Sequence, residues 1–226
     1  MLGTIVNVAT VIVGSIIGIF LHTRLPQRLT QTAFNAIGIF TLFLGFSMAL
    51  KTHHILILVF SILPGAIVGE LLKIEQVFNQ AVEKLKTRFA VKADRFTEGL
   101  ISAFLLFCMG SMTILGAVEE GLGRPPTLYL TKSLLDGVAA VALSAALGIG
   151  VLFSVLPLFF YQAGLTIIVR LLGQTLNPIL TDELTAVGGL ILIGLCINLL
   201  EIKQIKILNL LPALIIAPLL AFLFIH

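Results

Sequence analysis

Apolar stretches about as long as a bilayer is thick recur along the chain, at roughly 2–21, 34–50, 55–72, 99–118, 131–148, 150–171, 184–201 and 206–225. A helix needs about 20 mostly apolar residues to cross the hydrocarbon core, where no water is present to satisfy an irregular backbone. The pattern predicts an all-α integral membrane protein of about eight transmembrane helices in a single polytopic domain. Composition agrees: 58% of the residues are hydrophobic and 11% are charged, against roughly 25% charged in a soluble domain. So few charges cannot cover a water-facing surface. The first stretch has no basic segment before it and no small-residue cleavage site after it, so it reads as a membrane helix and not a signal peptide.

One stretch decides the count. Residues 131–171 contain no polar loop, yet they are about twice as long as one crossing requires. Gly148-Ile-Gly150 is the natural break, since glycine accepts the backbone angles of a turn; a kink at Pro157 in one longer helix is the alternative. Charge placement separates the two. With eight spans, one side receives Arg24, Arg28, Lys73, Lys84, Lys86, Arg88, Lys92, Arg95, Lys203 and Lys206, and the other Lys51, Arg124, Lys132 and Arg170, a split of 10 to 4. Treating 131–171 as one span moves Lys203 and Lys206 across and Arg170 the other way, which gives 9 to 5. The positive-inside rule favours eight spans, with both termini outside, residue 80 in the cytoplasm and residue 126 outside.

Within 73–98, Ile74, Val77, Phe78, Ala81, Leu85 and Phe89 fall at helical spacing beside Lys84, Lys86, Arg88 and Lys92. That is an amphipathic helix suited to the inner leaflet. The flanking regions resemble one another. At an offset of 150 residues, Gly14-Ser-Ile-Ile-Gly falls on Gly164-Leu-Thr-Ile-Ile, and Ala36-Ile-Gly38 on Ala186-Val-Gly188. With small gaps Gly45 meets Gly194, and Leu63-Pro64 meets Leu211-Pro212. The chain thus divides into a first three-helix repeat (1–72), the amphipathic loop (73–98), a central hairpin (99–148) and a second repeat (150–226). Five spans precede the second copy. An odd number inverts it, and inverted repeats are characteristic of secondary transporters.

Polar residues inside a span are expensive, so each is a functional candidate. Lys132 and Asp136 are four apart, share a helix face and can pair. Asp136 is expected about one turn inside the span, with Glu119 and Glu120 near it on the outer side. These three acids and one base suggest a proton or cation relay, or a gate that breaks and remakes the pair; a structural ion pair that fastens the hairpin is the plainer alternative. Ser111, in the small-residue stretch Gly110-Ser111-Met-Thr113-Ile-Leu-Gly116, offers a hydroxyl to a substrate, although such stretches chiefly let helices approach closely. Asn7 and Asn198 are further candidates near the midplane; Asn209, at the edge of a span, and Tyr161 and Gln162, in mid-span, can equally well bond a neighbouring helix. Cys108 and Cys196 lie in apolar runs and read as packing residues. His53 and His54 are adjacent, share no helix face, and complete no metal site.

No Walker loop, HExxH or GxSxG is present, so neither an enzyme nor a self-contained ATP-driven pump is indicated, and no cofactor is expected. A nucleic-acid partner is excluded by the lack of a basic face on a polar body. The run Phe107-Cys-Met-Gly-Ser-Met-Thr-Ile-Leu-Gly-Ala-Val-Glu-Glu-Gly-Leu-Gly123, followed by Leu130-Thr-Lys-Ser-Leu-Leu-Asp-Gly137, resembles the bacterial membrane family catalogued as domain of unknown function 554. Glu183-Leu-Thr-Ala-Val-Gly-Gly189 and Asn209-Leu-Leu-Pro-Ala213 are similar to its later segments, so the resemblance covers essentially the whole chain. It implies a transport protein of the bacterial inner membrane, with no substrate and no functional residues to carry over. The leading expectation is a carrier of a small solute or ion. The alternatives are a substrate-binding membrane subunit of a larger complex and a structural or regulatory membrane protein. Small-residue faces make a homodimer compatible with any of them.

Overall fold

Lipid, not water, surrounds these helices, and their two faces are sorted accordingly. In α1 (Leu2–His22) the buried residues are Gly3, Thr4, Asn7, Val11, Gly14, Ser15 and Gly18, small or polar and spaced along one face. Ile5, Val13, Ile16, Ile17 and Phe20 are exposed on the others. Association of membrane helices depends on close packing and interhelical hydrogen bonds, and the large apolar side chains are left to the hydrocarbon. The computed structural model describes residues 1–22, 26–89, 95–172 and 178–224; Arg24 and Lys92 of the basic loops lie outside these.

The described residues form helices and no strand. They fall into two compact units, Met1–Ile37 with Ala93–Leu176, and Gly38–Lys92 with Asn177–His226. Each unit therefore draws on both stretches that the repeat aligns. Six helices are long and apolar enough to cross a membrane, or up to eight if each of two bent pairs is one span.

The first unit holds α1, the start of α2 (Gln27–Ala49), α5 (Phe96–Cys108), α6 (Ser111–Gly121), α7 (Thr127–Leu147), the single turn α8 (Gly150–Phe153) and α9 (Val155–Leu172). α1 and α7 run parallel. Gly3 abuts Pro126 and Tyr129, Gly14 abuts Gly137 and Ala140, and Gly18 abuts Val141 and Ser144. At the far end His22 Nδ1 donates to the Ala145 carbonyl at 2.8 Å. A Cβ on Gly14 or Gly18 would run into the α7 backbone, so here glycine is required by contact. α5 and α6 form one interrupted helix pair, bent by 61° at Met109–Gly110, whose length and apolarity suit a broken span or a re-entrant loop. Its start packs on Leu147 and Val151, through Gly99, and its end on Thr166 and Val169, through Gly121. α9 is therefore parallel to that pair, while α7, whose Tyr129 meets Gly116, is antiparallel to it. Residues 131–171 thus reverse direction at Gly148, whose φ of 74° and ψ of −152° suit only glycine. The break is where the glycine pair puts it, and Pro157 lies within α9 without ending it.

The second unit holds the rest of α2, then α3 (Ile55–Leu71), α4 (Ile74–Arg88), α10 (Pro178–Leu199), a 3-10 turn (Ile207–Leu210) and α11 (Ala213–Phe224). α2 and α10 are antiparallel, with Gly38 against Leu200 and Gly45 against Gly189 and Ile193. α3 and α11 are antiparallel as well, with Gly65 against Ala213 and Gly69 against Asn209. The aligned glycines do not share environments: Gly14 and Gly45 are clamped, whereas a Cβ on Gly164 or Gly194 meets nothing within 4 Å.

The amphipathic segment is helical. The chain turns by 56° between α3 and α4 through Lys73, which adopts left-handed angles. Asn209 holds this corner, accepting from Glu75 N at 2.9 Å and donating to Glu70 Oε2 at 2.7 Å, while Lys206 bonds Glu70 Oε1 at 2.5 Å. Burial pushes the Glu75 carboxyl above its ordinary range, an effect opposed by a bond from Leu208 N–H and by the Lys206 charge. The residue of α4 that packs inward is Val82; Val77, assigned to the apolar face by spacing, is exposed.

Candidate functional site

The site is built on the parallel pair α1–α7 and the interrupted pair α5–α6. α7 begins at Thr127 because Glu119 caps it, accepting from Leu128 N at 2.9 Å and from the Thr127 hydroxyl at 3.1 Å. This start lies one turn earlier than the apolar run suggests. With a rise of 1.5 Å per residue, Asp136 is about 14 Å along a helix about 31 Å long. It therefore lies near the middle of α7 and not one turn from its start, which corrects the sequence expectation.

At that depth Lys132 bonds Asp136, and the two side chains are almost fully withdrawn from the surface, the residues being 5% and 7% exposed. Asn7 of α1, fully buried, donates from Nδ2 to Asp136 Oδ2 at 3.0 Å. The ring of Phe107, at the end of α5, lies 5.9 Å from Lys132 Nζ, so the cation has an aromatic face as well as a carboxylate. The Phe107 carbonyl accepts from Thr113 Oγ1 at 3.0 Å, a bond that reaches across the break between α5 and α6. Gly110, in extended conformation at the head of α6, has nothing within 4 Å of where a Cβ would stand. An ion pair, an amide and an interrupted helix thus meet at one level of the bundle.

Three of the residues singled out from sequence, Asn7, Lys132 and Asp136, come together. Ser111 opens α6 beside the break. Glu119 and Glu120 do not join the pair, which corrects the expected cluster of three acids: their carboxylates satisfy the unpaired N–H groups of helix starts. Glu120 accepts from Gly3 N at 2.6 Å, from the Thr4 hydroxyl at 2.7 Å and from the Met1 amino group at 2.9 Å. Asn198 belongs to the second unit and clamps the turn after α10, donating to Ile205 O at 2.8 Å and accepting from Ile205 N at 2.7 Å. Gln162 of α9 and Tyr129 are fully buried in the first unit. Gly116, part of the small-residue stretch, is covered within the chain by the Tyr129 ring.

Sequence reasoning passed over Glu183 as a structural carboxylate. It is fully buried in α10 and accepts from the Thr52 hydroxyl at 2.7 Å, His53 N at 2.8 Å and His54 N at 3.0 Å, capping α3. The signal was available, since an acid inside a membrane segment demands a partner. Cys108 and Cys196 are free and buried. Among the described residues no group of three or more His, Cys, Asp or Glu side chains is arranged to hold a metal.

The chain matches the family model described as Protein of unknown function (DUF554) over residues 2–222. It is 32% identical over 228 residues to "Uncharacterized membrane protein YdfK" of Bacillus subtilis (strain 168), covering 98% of this chain and 96% of that protein. It is 30% identical over 221 residues to "Uncharacterized protein YqgA" of Escherichia coli (strain K12), covering 96% and 94%. No solved structure gives a significant match. The central motif, the helical membrane architecture and these full-length matches agree: the chain is a membrane protein of the DUF554 family.

Proposed function

We propose that the protein is a secondary transporter of a small solute or ion in the bacterial inner membrane, with Lys132, Asp136 and Asn7 forming its site beside the break in the α5–α6 pair. The observation that carries this reading is the buried Lys132–Asp136 pair near the middle of α7. Removing two charges from water costs more than the pairing returns in a purely structural role, and an apolar pair of similar size would hold α7 in place at least as well. An ionisable pair inside a membrane segment, with no helix start to cap as Glu183 has, marks a cargo or coupling site by default. Helices interrupted at membrane depth are likewise a feature of transporter sites. The antiparallel pairing of α2 with α10 and of α3 with α11 supports inverted repeats, because an in-plane twofold sets equivalent helices head to tail. The basic loops support a cytoplasmic location for α4 and outer termini.

The test is reconstitution. Purified protein in liposomes loaded with the small-molecule fraction of a bacterial extract should release a subset of those compounds, read by mass spectrometry. Asp136→Asn should abolish the release while remaining monodisperse and helical by circular dichroism. Full release by Asp136→Asn would remove the assigned site, and no selective release by folded wild-type protein would remove the transporter reading.

A further inference from the structure

The Asn7 amide is only half used. Its Nδ2 donates to Asp136, but its Oδ1, wholly buried, accepts from nothing. Turning the amide over would set that oxygen against a carboxylate oxygen, which is worse. Buried acceptors without a donor are rare, and one beside a titratable group calls for an account in terms of the other protonation state. A neutral carboxylic acid supplies one. Asp136 Oδ1–H can donate to Asn7 Oδ1 while Asn7 Nδ2 continues to donate to Asp136 Oδ2, closing a two-bond ring that satisfies every polar atom of both side chains.

Protonation of Asp136 leaves Lys132 without its counter-charge. The groups that face Asp136 are Lys132 from its own helix, Asn7 from α1, and the Cys108 thiol with the Phe107 ring from α5. α6 directs Glu119 and Glu120 to helix starts, α8 carries no titratable residue, and His22 of α1 is held by Ala145 at the other end. No second carboxylate among the described residues stands by to take over Lys132. A buried ammonium without an anion is strongly disfavoured, so protonation of Asp136 calls for another anion at Lys132.

We propose that this site takes up a proton and a small monovalent anion together, the proton from water onto the Asp136 carboxylate and the anion onto Lys132. The charge of the site is then the same empty and loaded. It rests on the transporter reading for the claim that the pair is carried across, electroneutrally and one for one; the coupled binding stands without that reading.

The experiment is infrared difference spectroscopy between alkaline and acidic pH on protein in liposomes, with chloride, with lactate, or with the bulky anion gluconate. A neutral-carboxyl band should appear on acidification, vanish in Asp136→Asn and shift in frequency in Asn7→Leu, whose side chain cannot accept. The pH at which the band is half-developed should rise with chloride or lactate concentration, by about one unit per tenfold once the anion saturates the protonated form, since linkage is reciprocal. It should be indifferent to gluconate, and in Lys132→Gln indifferent to all three. Absence of an Asp136 band, a band unmoved by Asn7→Leu, or a midpoint unmoved by both small anions would overturn the proposal. Solute release that needs Asp136 while no proton is taken up would sink it and leave the transporter reading standing. Coupled binding with no release from liposomes would do the reverse.

Discussion

Replacing both members of the buried pair separates what Lys132 and Asp136 do for stability from what they do for function. Asp136→Leu leaves the Lys132 ammonium buried without a counter-ion and removes the acceptor of Asn7 Nδ2. Breaking a buried pair from one side costs about 3–5 kcal/mol. For a chain of this length each kcal/mol corresponds to about 2–4 °C in Tm, so a loss of about 6–20 °C is expected. Lys132→Met should cost less, because Asp136 keeps its bond from Asn7 and can be neutralised by a proton. The double variant Lys132→Met/Asp136→Leu strands no charge and should be at least as stable as the wild type, since apolar pairs of similar volume are often neutral or stabilising by about 1–4 kcal/mol. It should transport nothing. Unfolding can be followed with a thiol-reactive fluorogenic dye, because Cys108 and Cys196 are free and buried in the native state. A double variant as unstable as Asp136→Leu would show that the pair organises the fold through its geometry, and a double variant with wild-type flux would show that the charges are dispensable to function. Either result refutes the reasoning.

Gly110→Ala should change Tm by no more than about 3 °C, since nothing stands within 4 Å of the added methyl, whereas Gly116→Ala meets the Tyr129 ring and should destabilise by about 1–3 kcal/mol in the same thermal assay. Glu183→Ala strands the Thr52 hydroxyl and two backbone N–H groups at the start of α3 and should cost about 2 kcal/mol or more. Asp182→Asn, whose carboxylate meets His53 at a partly exposed pair, should cost less than about 1 kcal/mol in parallel melts. In whole cells an impermeant maleimide should label Arg124→Cys and spare Gln80→Cys, with little background from the two buried native cysteines; the opposite pattern would reverse the assigned orientation.

Much of this architecture is written in local properties. A crossing requires only length and apolarity, so the eight stretches are legible one at a time, and the reversal at Gly148 is legible because few other residues accept its backbone angles. The pairing of Lys132 with Asp136 follows from a spacing of four on any helix. The helicity of 74–88 follows from its periodicity. What failed was everything that depends on where a helix ends or which helix lies beside it. Glu119 and Glu120 read as members of an acidic cluster, because the sequence does not reveal that the starts of α7 and α1 present unpaired N–H groups to them. Asp136 read as shallow for the same reason: the cap adds a turn to α7 that hydropathy does not register.

By itself, then, the sequence determined that this chain is a bundle of membrane helices, roughly where each begins, and which residues carry a cost that needs an explanation. Only the tertiary structure decided that Asn7 belongs with Asp136, 129 residues away, that the α5–α6 pair beside them is broken at Gly110, and that the acids at the end of α6 serve as caps. The physical reason is the solvent. In hydrocarbon every backbone polar group must find its partner inside the protein and buried side-chain groups are costly without one, and hydropathy states that the need exists without saying which neighbour meets it. Neighbours are chosen by close approach, as at Gly14 and Gly18 against α7, and such contacts exist only once the helices have packed.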